Sequence, residues 1–449
     1  MQSTLKNFFY QKSTEVIDLT IEEPKPLKVK LVIQNENTPT AMTTKKGKRE
    51  CPFYKRIPGT SFTMDAFNFG VIPGCSGYFL SHFHSDHFGG LGKKFNQILY
   101  CTEITANLVK LRIGVNSDNI VALPLNQSIT IQGINVYIID GNHCPGSGIF
   151  IFTVPEAKID RTFASYNLLC KDLTIVHTGD FRAHPTMLKS IPTNVDFLFL
   201  DTTYLNPKYT FPDQSYVIKQ IGTIIMDIFH NKAKNTNLDK PNKKQKIAHN
   251  QQRLSFGQLP VPPKHTSPFH ITDSDNIVIC VGSYTIGKEK IAIYLAELLQ
   301  SKIYLNKEKT KIWNCFNSDK TSSFMSTDFN AKVHVLRMNE INYNFLSQYI
   351  KETNFTKVIG IVPTGWTFSD DIWKPSTISH QVCIFSIPYS EHSSYTELEQ
   401  FTSRLQIYKV QPTVNMSKVK QQLALINSWK SLKTEWTLQQ DLFDGKSIA

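Results

Sequence analysis

Residues 77–87 read Gly77-Tyr78-Phe79-Leu80-Ser81-His82-Phe83-His84-Ser85-Asp86-His87. The apolar run predicts a short buried strand that delivers His82 at its mouth. If the chain stays extended there, side chains alternate, so His82, His84 and Asp86 face one side and His87 the other. Three imidazoles and a carboxylate are a donor set for Zn²⁺ or a similar borderline cation. At this chain's histidine frequency, such a cluster arises by chance in roughly one sequence in a few thousand. A metal-dependent hydrolytic centre is the first expectation.

Working outward, the remaining ligands are sought at the mouths of other apolar runs. Ile134–Asp140 ends in Gly141-Asn142-His143-Cys144-Pro145-Gly146-Ser147-Gly148, a turn-rich loop able to aim His143 inward. Leu173–Val176 runs into His177-Thr178-Gly179-Asp180-Phe181-Arg182, Val195–Leu200 into Asp201-Thr202-Thr203-Tyr204, and Thr60–Met64 into Asp65. An α/β sheet assembles its site at such strand ends. A carboxylate such as Asp180 is able to bridge two cations, which would activate a shared water and polarise a phosphate oxygen for in-line attack.

The chain has 449 residues and is 41% hydrophobic, enough for two domains plus tails. Lys and Arg number 49 against 37 Asp and Glu, a net +12 that points to a polyanionic partner, nucleic acid first. The 8 cysteines are scattered without a C-x-x-C pair, against both a zinc ribbon and a disulfide framework and in keeping with a reducing compartment. With no spanning apolar run and no signal-peptide pattern, a soluble intracellular protein without membrane contact is expected.

Residues 1–50 are poor in core formers and read as a mobile arm with two apolar islands. In the first, Leu5, Phe8 and Phe9 fall on one face of a helical turn after Gln2, as a groove-binding anchor needs. In the second, Val16, Ile17 and Leu19 form a β-favouring run followed by Glu22-Glu23, suited to adding a strand to a partner's sheet. From Cys51 the texture is globular. Helices are predicted over Glu103–Ile113, Ser215–His230, Lys288–Leu299, Tyr395–Leu405 and Lys418–Leu432. Further strands are predicted over Asn276–Val281, Val333–Leu336, Lys357–Val362 and Val382–Ile387, giving an α/β class. Residues 231–270, basic and Pro-containing, read as a flexible insertion.

In this order, Asp65, His-x-His-x-Asp-His at 82–87, His143 and Asp180 resemble the metallo-β-lactamase fold. Asp201 in Leu-Asp-Thr-Thr-Tyr, His392 in Tyr-Ser-Glu-His-Ser-Ser and Val414 in Pro-Thr-Val-Asn resemble the three signature positions of the β-CASP nucleases. Cys51-Pro52-Phe53-Tyr54, Ile57-Pro58-Gly59-Thr60 and Pro363-Thr364-Gly365-Trp366 are similar to the DNA cross-link repair nucleases, the group that includes the yeast interstrand cross-link repair exonuclease.

The resemblance covers roughly 51–430. It implies an αββα sandwich (51–206) with an inserted β-CASP domain (207–380) and a return over 381–449. It further implies a tight Zn site at His82, His84, His143 and Asp180, and a weaker second divalent site (Zn, Mg or Mn) at Asp86, His87 and the shared Asp180. Asp65 would orient a ligand, and Asp201 would support His392 as proton donor. RNA-processing relatives usually have a His at the position of Val414, so its absence favours DNA over RNA and a weakly occupied second site.

The family's activity is 5′-to-3′ exonuclease cleavage from a 5′-phosphate. A pocket for that phosphate is expected from Ser283, Tyr284 and Lys288, completed by Thr364, Gly365, Ser393 and Ser394. Gln2, Leu5, Phe8 and Phe9 look like a PIP box for the sliding clamp PCNA, and Val16, Ile17 and Leu19 like a SUMO-interacting motif. No Cys or His precedes Cys51, so the N-terminal zinc finger of several family members is not expected. A nuclear, monomeric DNA-repair enzyme is the reading; RNA processing or a non-enzymatic clamp- and SUMO-binding scaffold are the alternatives.

Overall fold

The computed structural model of the chain describes residues 50–162, 171–234, 271–272, 274–365 and 373–429. Four parallel strands form a first sheet in sequence order: β1 (Phe62–Met64), β2 (Gly77–Phe79), β3 (Leu99–Thr102) and β4 (Ile120–Leu123). A short α1 (Ser85–Phe88) follows β2, and α2 (Glu103–Arg112) follows β3. The second sheet begins as an antiparallel run, β5 (Ser128–Ile131), β6 (Ile134–Asp140), β7 (Gly148–Val154) and β8 (Leu173–His177), after which β9 (Asn194–Leu200) pairs parallel to β8.

The period-two alternation of these strands fixes the layers. Phe62, Met64 and Phe79 of the first sheet pack against Phe150, Phe152, Ile175, Phe197 and Phe199 of the second, and this is the core between the sheets. Each fully buried side chain of this size contributes roughly 1.5–3 kcal/mol through removal from water. The opposite face of the first sheet, with Tyr78, Leu99 and Cys101, lies under Ala106, Leu108 and Val109 of α2.

The chain then builds a third sheet. Its elements are α3 (Gln214–Lys234), β10 (Ile277–Ser283), α4 (Glu289–Leu298), β11 (Ile303–Tyr304), α5 (Lys307–Trp313), α6 (Asp319–Phe324), β12 (Met325–Ser326), β13 (Val333–Arg337), α7 (Tyr343–Lys351), β14 (Lys357–Pro363), β15 (Thr377–Ile378) and β16 (Val382–Ile387). The strand order is β12-β11-β13-β10-β14-β16-β15, parallel throughout except β15. Ile277, Ile279 and Val281 face α4, while Val278 and Cys280 face α7, so both sides are apolar, as a parallel sheet requires.

Finally α8 (Tyr395–Ser403), β17 (Gln406–Pro412) and α9 (Val419–Trp429) return to the second sheet, where β17 pairs parallel with β9. Leu398, Phe401, Ile426 and Trp429 of these helices cover Ile149, Ile151, Val176 and Leu198. Helix, sheet, sheet and helix therefore stack as an αββα sandwich, with the third sheet inserted between β9 and α8.

Three expectations shift. Helix α3 runs to Lys234, four residues into the expected 231–270 insertion, whose remainder lies outside the described residues. Val382–Ile387, beyond the expected return at 381, still pairs with β14 in the third sheet. Strand β17 went unpredicted because it is an edge strand, with Gln406, Tyr408 and Lys409 exposed and no clean alternation. No described helix is long and apolar enough to cross a membrane. The arm residues Gln2, Leu5, Phe8, Phe9, Val16, Ile17 and Leu19 lie outside the described residues.

Candidate metal centre

His82 follows β2 and is fully buried, His84 caps α1, and His143 rides the loop between β6 and β7. His82 Nε2 lies 2.9 Å and His143 Nε2 3.1 Å from His84 Nδ1. The backs of the rings are held: His143 Nδ1 is 2.9 Å from the Glu391 carbonyl, His82 Nδ1 is 3.0 Å from Ser81 Oγ, and His84 Nε2 is 3.4 Å from the Ile286 carbonyl. A carbonyl accepts only, so His143 carries its proton on Nδ1 and points a lone pair inward. Burial keeps all three imidazoles below the ordinary histidine range, hence neutral. Convergent neutral nitrogens that share at most one proton fit a cation, the form in which histidine ligates one. Cys144 adds a buried sulfur to this group, within 4.8 Å.

Asp180, delivered by the loop after β8, sits at the middle. Its Oδ2 is 3.7 Å from His82 Nε2, 3.9 Å from His143 Nε2, 3.2 Å from His87 Nε2 and 4.0 Å from His392 Nε2. Burial opposes its charge, but His87 and His392 outweigh burial and hold the carboxyl well below its usual range. One carboxylate oxygen is thus shared between the His82–His84–His143 group and His87. His87 Nδ1 is 2.8 Å from Asp65 Oδ2, which also accepts from Ser81 Oγ at 2.7 Å. Burial lowers His87, but Asp180 and Asp65 draw it well above the ordinary range, so these carboxylates call for positive charge at that spot. Asp65 does this from a left-handed backbone, φ 52°, which Asp tolerates better than most residues.

The extended reading of 82–87 is corrected here. Alternation ends at His84, because Ser85–Phe88 coil into α1. That turn swings His87 into the centre beside Asp180, whereas the Asp86 side chain is 75% exposed, with Oδ2 3.5 Å from His87 Nε2. Asp86 stands at the rim.

His392 Nδ1 is 2.8 Å from Asp201 Oδ2, joining two residues far apart in sequence. Burial lowers His392, but Asp201 and Asp180 raise it to about 9. The Val414 carbonyl accepts from Oγ of Thr202, the residue after Asp201, at 3.3 Å.

The expected phosphate pocket is rearranged. Lys288 is buried, its ammonium 3.3 Å from Glu391 Oε2. Ser393 Oγ donates to the Phe181 carbonyl and accepts from Ala183 N–H, and Ser394 caps α8, so both hydroxyls are spent on structure. Ser283 Oγ is 2.9 Å from the Gly287 carbonyl, and Thr364 N–H donates to Ile387. A Cβ on Gly365 would strike the Tyr204 hydroxyl. Tyr284 alone of the seven is widely exposed, at 57%. Sequence reasoning missed Ser81, Glu391 and Arg182. The first two adjoin predicted histidines, the one signal available. The buried Arg182 side chain joins Ser390, Pro212 and Glu397 across the insert's two crossings, and nothing local announces it.

An αββα sandwich with five histidines and a shared carboxylate gathered at its strand ends is a metallo-β-lactamase centre. Residues 318–418 match the DNA repair metallo-beta-lactamase family. The chain is 36% identical over 407 residues to the DNA cross-link repair 1A protein of Homo sapiens, covering 87% of this chain and 33% of that one. It is 35% identical to the DNA cross-link repair protein SNM1 of Arabidopsis thaliana, covering 82% of this chain and 66% of that one. It is 28% identical to the 5′ exonuclease Apollo of Rattus norvegicus, covering 80% and 54%. The chain belongs to the DNA cross-link repair family of metallo-β-lactamase proteins, and it spans about a third of the length of its vertebrate 1A relatives.

Proposed function

We propose that the chain is a metal-dependent 5′-to-3′ DNA exonuclease that starts from 5′-phosphate ends in interstrand cross-link repair. Its setting is the nucleus, and Gln2–Phe9 tethers it to PCNA. The observation that carries the reading is the convergence of His82, His143, His87 and His392 on Asp180 Oδ2, with His84 seated against His82 and His143. Two relatives are named for DNA cross-link repair and a third as a 5′ exonuclease.

His82, His84, His143 and Asp180 would hold a tight divalent cation, Zn²⁺ by the chemistry of the donors, and Asp86, His87 and Asp180 a weaker second one. Bound metal supplies an activated water and neutralises charge on the phosphate. Asp65 and Ser81 keep the His87 ring turned toward Asp180. Asp201 holds His392 by Nδ1 and leaves Nε2 to deliver a proton to the leaving oxygen. Val414 brings no imidazole to the second position, in keeping with DNA as substrate.

The test is a product ladder from matched single-stranded DNA and RNA oligomers, each with a 5′-phosphate or a 5′-hydroxyl. Stepwise loss from the 5′-phosphorylated DNA is expected, and Asp86→Ala should slow it at least about 100-fold. Undiminished cleavage by Asp86→Ala, or equal cleavage of RNA, would overturn the reading.

A further inference from the structure

We propose that Glu391 is a positioning residue through which the inserted third sheet and its helices set the orientation of His143, so that seating of the insert and affinity for the cation are coupled. The proposal rests on the metal-centre reading above and goes beyond it in making the insert part of that centre.

Glu391 lies between β16 and α8, where the chain returns from the insert to the sandwich, and is 5% exposed. Its two polar ends face different parts of the molecule. The carboxylate is held by the insert: Oε1 accepts from Lys288 N–H at 2.7 Å, and Oε2 lies 3.3 Å from the Lys288 ammonium. Gly287 makes room for it. A Cβ there would stand 2.6 Å from Oε2, and the Gly287 φ of 104° is one that L side chains rarely adopt. The Glu391 carbonyl is turned to the sandwich, where it accepts from His143 Nδ1 at 2.9 Å.

The direction of that carbonyl is fixed from three sides. Ahead of it in the chain, the Ser390 carbonyl accepts from Arg182 Nη1 at 2.9 Å and from Gln214 Nε2 at 2.8 Å. Behind it, His392 is held by Asp201 and donates its N–H to Ser390 Oγ at 3.0 Å. The third hold is the carboxylate. A buried carboxylate parts from its cation only at a high cost, so it pins the Cα from which the carbonyl projects. With the carbonyl in place, the His143 ring keeps its proton on Nδ1 and its lone pair on Nε2; without it, the ring can turn and exchange tautomers. The same insert loop touches a second imidazole, His84, whose Nε2 is 3.4 Å from the Ile286 carbonyl. His82 leans on Ser81 of the sandwich instead. Two of the three clustered imidazoles thus take their orientation from the insert. By linkage, a cation that steadies them also steadies the insert loop.

The experiment uses the full chain with the variants Glu391→Ala and Glu391→Gln. Zn²⁺ affinity is measured by competition with a chromogenic chelator, and hydrogen exchange across residues 284–288 is followed with and without Zn²⁺. Glu391→Ala is expected to weaken Zn²⁺ binding about 10–100-fold. Glu391→Gln, which can still accept from Lys288 N–H, should recover part of that loss. Zn²⁺ should slow exchange across 284–288 in the parent, and the slowing should shrink in Glu391→Ala. A folded Glu391→Ala protein that binds Zn²⁺ as tightly as the parent overturns the proposal, whatever its melting temperature. If Glu391→Ala does not fold, parental Zn²⁺ affinity in Glu391→Gln overturns it instead. A parent that takes up no Zn²⁺ would remove the metal-centre reading and the proposal together. Glu391-dependent Zn²⁺ binding by a parent that cleaves no DNA would support the proposal while removing the nuclease reading.

Discussion

His392 gives its Nδ1 side to Asp201, so the ring can present only Nε2 to the space beside Asp180. The carboxylate therefore sets both the tautomer and the angle of the imidazole. Asp201→Asn keeps the shape but loses the charge that holds the ring. It should lower kcat about 10–100-fold while bound metal, measured by emission spectroscopy, stays at the parent level. Loss of metal together with activity would instead place Asp201 among the groups that hold the cation. His87 is oriented in the same way by Asp65, and there the sequence misled: spacing alone assigned His87 to the far side of the chain. One helical turn after His84 reversed that assignment, because Ser85 starts α1 where an extended backbone had been assumed.

Strand β13 carries a buried histidine that has no part in the metal centre. His334 Nδ1 lies 2.7 Å from the Tyr349 hydroxyl of α7, and burial holds its pKa at about 4, against 6.5 for a free histidine. The unfolded chain therefore takes up a proton between those two values while the folded chain does not, so stability falls as pH drops through that window. From about pH 7 to about pH 5 this site should lose about 2 kcal/mol, and His334→Gln should lose that increment of the dependence in urea titrations. Arg182 acts between elements. Its guanidinium Nη2 is 2.8 Å from Glu397 Oε1 and its Nε lies 2.7 Å from Glu397 Oε2, tying the Asp180 loop to α8. Arg182→Met strands a shielded carboxylate and should destabilise the fold by about 3–5 kcal/mol, with Arg182→Met plus Glu397→Gln losing less. Equal loss in the single and double variants would show that packing, not charge, governs this contact.

At the scale of the whole molecule, the N-terminal motif and the proposed nuclease activity are separable. Alanine at Leu5, Phe8 and Phe9 together should abolish retention on immobilised PCNA and leave cleavage of free DNA unchanged; a parallel loss of both would tie those residues to catalysis. Much of the core was legible in the chain. Apolar runs such as Ile134–Asp140 and Val382–Ile387 became strands over those same bounds, because a buried strand must be apolar whatever surrounds it. His82, His84, His143 and Asp180 stood out because metal donors at strand ends are a local pattern. The edge strand β17 and the short α5 were not legible, since few of their residues need be apolar. Nor was the fate of the hydroxyls and cations assigned to phosphate. Whether Lys288 faces a ligand depends on which carboxylate arrives beside it, and Glu391 comes from a hundred residues away. By itself the sequence determined the sandwich, through burial, and which imidazoles and carboxylates are candidate metal donors, through ligand chemistry. Only the tertiary structure decided that His87 turns inward, that Asp180 is shared and that Lys288 is matched by Glu391, because each depends on packing that brings distant carboxylates into contact.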